Sequence, residues 1–423
     1  MPLYLIRPTS NPVGPSVLPL SHIRTTLDAR NYQIKTVQDA VLGNTTYRNI
    51  GEWLKQEGVG VGKPDSISPP TGSLTGIRVA DLTVEQADRI TKQVSGVLVE
   101  PDAPVGLPLD VPSDLATVRG GASTKPPLQA ASIGGQPGQV GTPWHLKMIG
   151  AGRGRKSGTG RTGGGIGVGV IDTGVGVISR KWGAKVQRFA VRGATAVSGA
   201  TVVASPPFDA IDHGTPVTAL ILDDIVGAAP DADVISIRAV PGQLSDLIAA
   251  IEWAGSQPNI RILNVSASMP LGGPVLTLET LLTSLRILGV LTICAAGNNG
   301  RAFSGPPATC QAVISVGAVD EKRKVTSYSG SAVFHPPGGG PEIQIPYLVA
   351  PGHDVVSYSV TGVYRSFSGT SFAAPLVTAA AARFIGTYPR TSVPDVIEGL
   401  LMRCKPLSDR TRAGSGIVYV GRL

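Results

Sequence analysis

The amino-acid sequence predicts an α/β protein, a doubly wound and mostly parallel sheet preceded by a small α+β unit. From about Gly141 onward, short apolar stretches alternate with helical patterns, which is typical of a parallel sheet covered on both faces. Before that region, a capped helical pattern is followed by a strand-like segment near residue 100. Between the two lies a stretch rich in proline and glycine that has no apolar periodicity.

The composition supports a division into several units. The chain has 423 residues, of which 42% are hydrophobic and 16% are charged, and this excludes a wholly disordered chain. A single hydrophobic core usually stops growing at about 250–300 residues, so one core is not enough. We therefore predict an α+β domain at residues 1–102, a Pro/Gly-rich linker at 103–140 and a large α/β domain at 141–423.

The clearest element of the first domain is a helix predicted within residues 82–93. Thr83 and Gln86 stand at the spacing of a capping box, so the helix should begin there. The segment after it alternates apolar and small residues like a half-buried strand and stops at Pro101. A shorter helical pattern surrounds Trp53. Helix and strand together predict a small α+β module.

The predicted linker, residues 103–140, holds six prolines and six glycines. A structureless loop of this length is uncommon inside a compact domain. A connection between two folded units explains it better.

The third region supplies the large sheet. Apolar runs predict strands, and amphipathic or alanine-rich patterns predict helices. The predicted strands are 166–171, 232–240, 261–265, 290–296 and 312–319, and the predicted helices are 217–222, 244–254, 276–288, 370–387 and 393–404. Ligands of such sheets bind beyond the carboxyl ends of the strands, so catalytic residues are expected there.

Four polar residues stand at the end of a predicted strand or at the start of a predicted helix. Asp172 ends a strand, and His213 begins a helix in which Gly214 leaves room beside the ring. Asn298 follows a strand and a glycine. Ser371 opens the alanine-rich helix, where backbone N–H groups and the helix dipole favour negative charge. Each residue alone also fits a structural role, such as a turn or a helix cap.

Together the four residues fit one chemistry. An acid orients a histidine, the histidine takes a proton from a serine, and an amide stabilises the oxyanion. Their order along the chain is Asp, His, Asn, Ser. An esterase of the α/β-hydrolase type would need Gly-x-Ser-x-Gly and the order Ser, Asp, His, and neither occurs.

The segments Val-Ile-Asp-Thr-Gly, His-Gly-Thr, Ala-Ala-Gly-Asn and Gly-Thr-Ser-x-Ala-Ala-Pro form a highly specific set. On these motifs, residues 144–423 resemble a subtilisin-like serine protease, a subtilase. The resemblance implies a serine endopeptidase with the triad Asp172, His213 and Ser371. It also implies that Asn298 is the side chain of the oxyanion hole. A non-catalytic, peptide-binding relative of the subtilases is the alternative.

The resemblance also implies where the substrate lies. A peptide or protein substrate is expected to add as a β-strand along Ser266, Ala267 and Ser268, where the family usually has Ser-Leu-Gly. The side chain of Ser268 is expected to narrow this path. Gly242 and Gly297 complete the predicted substrate-binding residues.

Residues 82–102 are similar to the second half of a subtilase inhibitory propeptide. In that family the propeptide packs on the enzyme, helps it to fold and threads its tail through the active site. The resemblance implies a self-processing zymogen whose own N-terminal domain is an intramolecular inhibitor. It also implies that the processing site lies in the linker.

Charge and hydropathy indicate whether a nucleic acid or a membrane is a further partner. The net charge is +8, but the densest basic patch, between Gly152 and Gly165, has no aromatic residue on which a base could stack. We therefore expect no nucleic-acid partner. The sequence has no run of about 18 apolar residues and no secretory signal pattern. We expect no membrane partner and, by default, a cytoplasmic chain, with secretion left open.

The expected chemistry needs no cofactor and no metal. Calcium often stabilises subtilases, but no loop with calcium-ligand spacing is recognisable in the sequence. Three cysteines, Cys294, Cys310 and Cys404, form no Cys-x-x-Cys pair. Reduced thiols that pack in the core are therefore expected.

Overall fold

A computed structural model of the chain describes residues 3–8, 27–59, 77–107, 141–152, 160–176, 182–193, 201–335 and 342–421. Most of the basic patch and most of the predicted linker, residues 108–140, lie outside these ranges. Within the described ranges, no helix is both long and apolar enough to cross a membrane.

The N-terminal unit is a three-stranded antiparallel sheet covered by helices. Its elements are β1 (Leu3–Pro8), α1 (Leu27–Gly43), α2 (Thr45–Gln56), β2 (Arg78–Asp81), α3 (Val84–Gln93) and β3 (Val97–Pro101). The strand order is β2-β1-β3. A small apolar core joins Ile6 of the sheet to Ile50, Trp53 and Ile90 of the helices. The unit is thus the α+β module that the sequence predicts.

The capping box predicted at Thr83 is present. The hydroxyl of Thr83 accepts a hydrogen bond from the Gln86 N–H at 3.1 Å, and the Thr83 N–H donates to Gln86 Oε1 at 3.0 Å. These bonds satisfy N–H groups that the first helical turn leaves without partners. The helix therefore begins at Val84, and the chain turns once before strand β3.

An eight-stranded sheet forms the centre of the large unit. The strands that follow the N-terminal unit are β4 (Pro104–Val105), β5 (Gly167–Asp172), β6 (Val186–Arg192), β7 (Thr201–Ala204), β8 (Asp233–Arg238), β9 (Gly242–Gln243), β10 (Ile260–Val265), β11 (Leu291–Ala295), β12 (Val313–Val319), β13 (Ala332–Phe334), β14 (Ile343–Ile345), β15 (Leu348–Pro351), β16 (Val355–Tyr358) and β17 (Tyr364–Phe367). The order in the large sheet is β15-β12-β11-β10-β5-β8-β6-β7. All neighbours in this sheet are parallel except β6 and β7.

Helices cover both faces of this sheet. The helices of the large unit are α4 (Trp144–Met148), α5 (Gly214–Leu222), α6 (Leu244–Ser256), α7 (Leu276–Ile287), α8 (Thr370–Thr387), α9 (Val393–Met402) and α10 (Arg410–Ala413). One apolar cluster joins Val170 of β5 to α5 and α8, and another joins the next residue, Ile171, to α6 and α7. Successive side chains of a strand point to opposite faces, so the doubly wound fold is confirmed.

The strand order brings four carboxyl ends together. Strands β11, β10, β5 and β8 are adjacent and parallel, so their carboxyl ends meet at one edge of the sheet. Asp172 is the last residue of β5, Ser266 directly follows β10, and Asn298 lies three residues beyond β11. Helices α5 and α8 begin after His213 and Gly369. The predicted site residues thus come from separate strands, helices and connecting segments.

Candidate active site

His213 and Asp172 form a direct hydrogen bond, with 2.7 Å between Nδ1 of the ring and Oδ1 of the carboxylate. The contact depends on close packing at Gly214. A Cβ built on Gly214 would lie 2.2 Å from the Gly174 carbonyl oxygen and 3.1 Å from Asp172 Oδ1. Because no side chain fits there, glycine lets the start of α5 approach the end of β5.

The electrostatics of the pair favour a protonated ring. Burial lowers the pKa of His213, but the carboxylates of Asp172, Asp209 and Asp212 act in the opposite direction. Their combined effect raises the pKa of His213 above its ordinary value. Asp172 is fully buried, so its charge acts on the ring with little screening by water.

Ser371 lies in the first turn of α8, and the residue after it contacts the histidine ring. The helix begins after Gly369, whose φ of 144° is accessible to glycine but strained for other residues. The ring of Phe372, the residue after Ser371, lies 5.3 Å from the His213 ring between centroids. The serine is therefore presented at a helix N-terminus, where backbone N–H groups favour an anion.

Asn298 is held by the residue just before the serine. Its Oδ1 accepts hydrogen bonds from the backbone N–H and the hydroxyl of Thr370, each at 3.0 Å. The same hydroxyl accepts the Gly297 N–H at 3.1 Å. Because both Thr370 donors require an oxygen, the carboxamide orientation is determined, and its Nδ2 group is left as the donor for a ligand. Thr370 stands within the Gly-Thr-Ser motif, but no pattern in the sequence predicts that it would hold Asn298.

The segment Ser266 to Ser268 directly follows β10 and contacts the candidate nucleophile. The Ser266 hydroxyl donates to the Ser371 carbonyl oxygen at 3.2 Å. A second hydrogen bond, from Asn264 Nδ2 at 3.0 Å, reaches the same hydroxyl. Ala267, which lies between Ser266 and Ser268, is buried in the core. The hydrogen bonds of Ser266 and the burial of Ala267 therefore fix the start of this segment.

The start of the predicted linker lies between two backbone edges of the large unit. Gly106 and Ser268 exchange backbone hydrogen bonds of 3.1 and 2.9 Å. On the other side, β4 pairs antiparallel with β9, so that Val105 lies opposite Gly242. The Leu244 N–H also donates to the Ala103 carbonyl at 2.7 Å. Residues 103–106 thus form the middle strand of a three-stranded arrangement, and Gly242 and Ser268 contribute one edge each.

The side chain of Ser268 does not interrupt this pairing. Its backbone N–H and carbonyl both reach Gly106, while its hydroxyl lies 3.4 Å from the Met269 carbonyl. A Cβ on Gly305 would come within 2.9 Å of that hydroxyl oxygen. The side chain of Ser268 therefore faces Gly305 rather than the backbone edge that pairs with Gly106.

Two acidic residues of the N-terminal unit cap helices of the large unit. Asp102 accepts the backbone N–H and the hydroxyl of Ser245, at 2.8 and 2.6 Å, in the first turn of α6. Glu100 accepts the backbone N–H of Thr277 at 3.2 Å and also its hydroxyl, in the first turn of α7. Carboxylates at helix N-termini satisfy free N–H groups and complement the helix dipole. These contacts join the two units.

Among the residues that the structure describes, no group of three or more His, Cys, Asp and Glu side chains could hold a metal ion. Cys294 and Cys310 are buried and Cys404 is half-buried, all three as free thiols. The core packing predicted for the three cysteines is thus confirmed for Cys294 and Cys310, whereas Cys404 is only half-buried.

Comparisons with known proteins relate this chain to one family. A model of the subtilase family matches residues 163–416. Subtilisin DY of Bacillus licheniformis is 31% identical over 274 residues, which cover 62% of this chain and 91% of that protein. Subtilisin Savinase of Lederbergia lenta is 30% identical over 287 residues, covering 65% and 96% respectively. The alkaline protease of Alkalihalobacillus alcalophilus is also 30% identical, over 65% of this chain and 68% of its own length.

Proposed function

Because the chain belongs to the subtilase family, whose members are serine proteases, we propose that it is an endopeptidase that uses Ser371, His213 and Asp172 as its triad. The observation that carries the proposal is the 2.7 Å hydrogen bond between the buried Asp172 carboxylate and His213, whose ring also contacts Phe372, the residue after Ser371. These residues come from three different elements and share one edge of the sheet.

In the proposed reaction, the Ser371 hydroxyl attacks the carbonyl carbon of a substrate peptide bond. His213 accepts the hydroxyl proton and then donates it to the leaving amine, so the peptide C–N bond breaks and an acyl-enzyme forms. A water molecule, activated by His213, hydrolyses the ester and restores the serine. Asp172 holds the ring in the correct tautomer and stabilises the imidazolium that forms.

The oxyanion is proposed to lie between Asn298 Nδ2 and the backbone N–H of Ser371. The fixed carboxamide of Asn298 supports this assignment, since its oxygen is already occupied by Thr370. A donor that is oriented before the reaction costs no reorganisation when negative charge develops. The N-terminus of α8 adds a favourable dipole at the same place.

We further propose that residues 1–102 are an inhibitory propeptide and that its tail occupies the substrate groove. The pairing of residues 104–106 with β9 and Ser268 is the geometry expected of a peptide that adds as a strand. Substrate is then proposed to contact Ser266, Ala267, Ser268 and Gly242, with Gly297 beside the oxyanion donor. Self-processing would occur in the linker, beyond the paired residues. No cofactor takes part in this scheme.

One experiment tests the proposal. Purified wild-type protein and a Ser371→Ala variant are analysed by mass spectrometry and assayed with a short peptide ester. The wild type should hydrolyse the ester and appear cut between residues 103 and 140, whereas the variant should stay full length and inactive with an unchanged circular dichroism spectrum. Peptide binding by a wild-type protein that cleaves neither the ester nor itself would instead indicate a non-catalytic relative.

A further inference from the structure

A buried carboxylate that is not one of the four candidate catalytic residues stands just before His213. Asp209 lies in the turn between β7 and α5 and is 8% exposed. Its Oδ1 accepts the Thr173 hydroxyl at 2.8 Å and the backbone N–H groups of residues 211, 212 and 213 at 3.3, 3.1 and 3.5 Å. Its Oδ2 accepts the backbone N–H and the hydroxyl of Thr215, at 2.8 and 2.7 Å.

These bonds join the chain segments on which the proposed triad depends. Thr173 directly follows Asp172, and its hydroxyl also accepts the Gly214 N–H at 2.9 Å. Thr215 lies two residues after His213, and its hydroxyl accepts the Gly176 N–H at 3.0 Å. Asp209 therefore connects the end of β5 to the start of α5 through Thr173 and Thr215.

The carboxylate also contributes charge to the environment of the ring. Three carboxylates raise the pKa of His213 against burial, namely those of Asp172, Asp209 and Asp212. Asp212 is also held by the hairpin β16–β17, where Ser359 and Val360 donate to it, and Arg365 acts on it electrostatically. From the third element packed against the ring, α8, the facing residue is the uncharged Phe372.

We propose that Asp209 is a positioning residue. Through Thr173 and Thr215 it holds His213 and Asp172 at hydrogen-bonding distance from each other, and its carboxylate adds negative charge near the imidazole. This inference rests on the proposed triad and extends it to a residue that touches neither substrate nor nucleophile. A buried carboxylate with this many donors is costly to replace, because each N–H or O–H left without its acceptor loses a hydrogen bond.

Three variants of the full chain distinguish the positioning role of Asp209 from the effect of its charge. Asp209→Asn removes the charge and two acceptor sites. Thr173→Val removes only the hydroxyl that links Asp209 to Gly214, and Thr173→Ser retains that hydroxyl. Each is compared with the wild type by ester hydrolysis over a pH range, and folding is checked by thermal unfolding.

Asp209→Asn should lower kcat by about 10- to 100-fold with KM changed less than about threefold, since small misplacements of a base have effects of this size. The acidic limb of kcat/KM should also move to lower pH by about half a unit, because an anion near the imidazolium is lost.

Thr173→Val should lower kcat without moving that limb, and Thr173→Ser should recover most of the loss. A folded Asp209→Asn variant with wild-type kcat and an unmoved limb would overturn the proposal. So would Thr173→Val and Thr173→Ser variants that behave identically.

A second measurement needs no turnover. The His213 ring proton is titrated by NMR in a Ser371→Ala chain, with and without Asp209→Asn. The second substitution should lower the His213 pKa and weaken the low-field Nδ1–H signal of the bond to Asp172. If the wild type fails to hydrolyse the ester while these signals change, the protease function is wrong and the role of Asp209 stands. Unchanged signals in a folded Asp209→Asn protein would refute the role of Asp209 itself.

Discussion

Thr370 orients Asn298: the backbone N–H and the hydroxyl of Thr370 both bind Asn298 Oδ1, at 3.0 Å each. The two residues are 72 positions apart in the sequence, and Thr370 is the immediate neighbour of Ser371. The candidate oxyanion donor and the candidate nucleophile are thus mechanically connected, because a shift of the α8 N-terminus moves both. This relationship underlies the first prediction.

Replacing Asn298 with alanine should lower kcat by about 10²–10³, the cost known from subtilisin itself for the loss of one oxyanion donor. KM should barely change, since the hydrogen bond forms mainly in the transition state. Steady-state kinetics with a peptide anilide measure both values. A raised KM with unchanged kcat would make Asn298 a substrate-binding residue instead.

Thr370→Val should lower kcat in the same direction but by a smaller factor, about tenfold. The variant keeps the backbone N–H that binds Asn298 Oδ1 and loses only the hydroxyl. Thr370→Ser, which retains the hydroxyl, is the matched control and should remain within about threefold of the wild type. A loss of kcat in Thr370→Ser together with near wild-type kcat in Thr370→Val would show that the methyl group, rather than the hydroxyl, is the important part of Thr370.

The activity should fall as the pH is lowered through the pKa of His213, because only the neutral ring accepts a proton from Ser371. Burial lowers this pKa and the neighbouring carboxylates raise it further than burial lowers it, so the acidic midpoint of kcat/KM should lie above the ordinary histidine value of about 6.5. Asp172→Asn should move the midpoint to lower pH and reduce kcat by about 10⁴. A midpoint below pH 6 in the wild type would contradict the arrangement of charges.

His145 does not complicate this pH profile. Burial lowers the pKa of His145 to about 4, and its hydrogen bond to the Val226 carbonyl only partly offsets that effect. The ring therefore stays neutral throughout the range in which His213 titrates. His145→Gln should leave the acidic midpoint unchanged, and this variant serves as the control for the profile.

Thiol reagents should not inhibit hydrolysis. Burial raises the pKa values of Cys294 and Cys310 above that of an ordinary thiol and raises that of Cys404 to about 12, so all three are poor nucleophiles. Mass spectrometry after alkylation should find native protein modified slowly, first at the half-buried Cys404, and unfolded protein modified at all three. Rapid inactivation with label on Cys294 would show that it is accessible from the cleft.

A fragment of residues 1–107, added to the processed enzyme, should inhibit competitively and more strongly than residues 1–102, because only the longer fragment contains the paired strand. Asp102→Ala in the longer fragment removes two hydrogen bonds to Ser245 and should raise the inhibition constant by about 10- to 100-fold. Asp88→Asn is the control, since Asp88 is exposed and its ion pair is with Lys92 on the same helix. A fragment that folds but never inhibits would make this block a targeting or partner-binding domain.

Much of the fold is predictable from local sequence. The capping box at Thr83 fixes the start of α3. The five predicted strands of the large sheet lie within one or two residues of the observed ones, because buried parallel strands are apolar throughout. Three further strands of that sheet were not predicted: β6 mixes buried and exposed residues and includes Arg188 and Arg192, and β7 and β15 have only four residues each. The hairpins β13–β14 and β16–β17 were missed because their strands have only three or four residues each.

The amino-acid sequence is sufficient to identify the candidate reactive residues and to predict that they stand at strand ends or helix starts, because those patterns are local and periodic. How these residues meet depends on the tertiary structure. The contacts of His213 with Asp172 and of Asn298 with Thr370 span 41 and 72 positions, and the insertion of residues 103–106 between β9 and Ser268 joins two units. Such contacts depend on strand order and on glycine at the closest approaches, and no local pattern encodes a distance between distant segments. The role proposed for Asp209 also depends on tertiary structure. In the sequence it is an ordinary aspartate in a turn, and only the fold shows the six donors that bind its carboxylate.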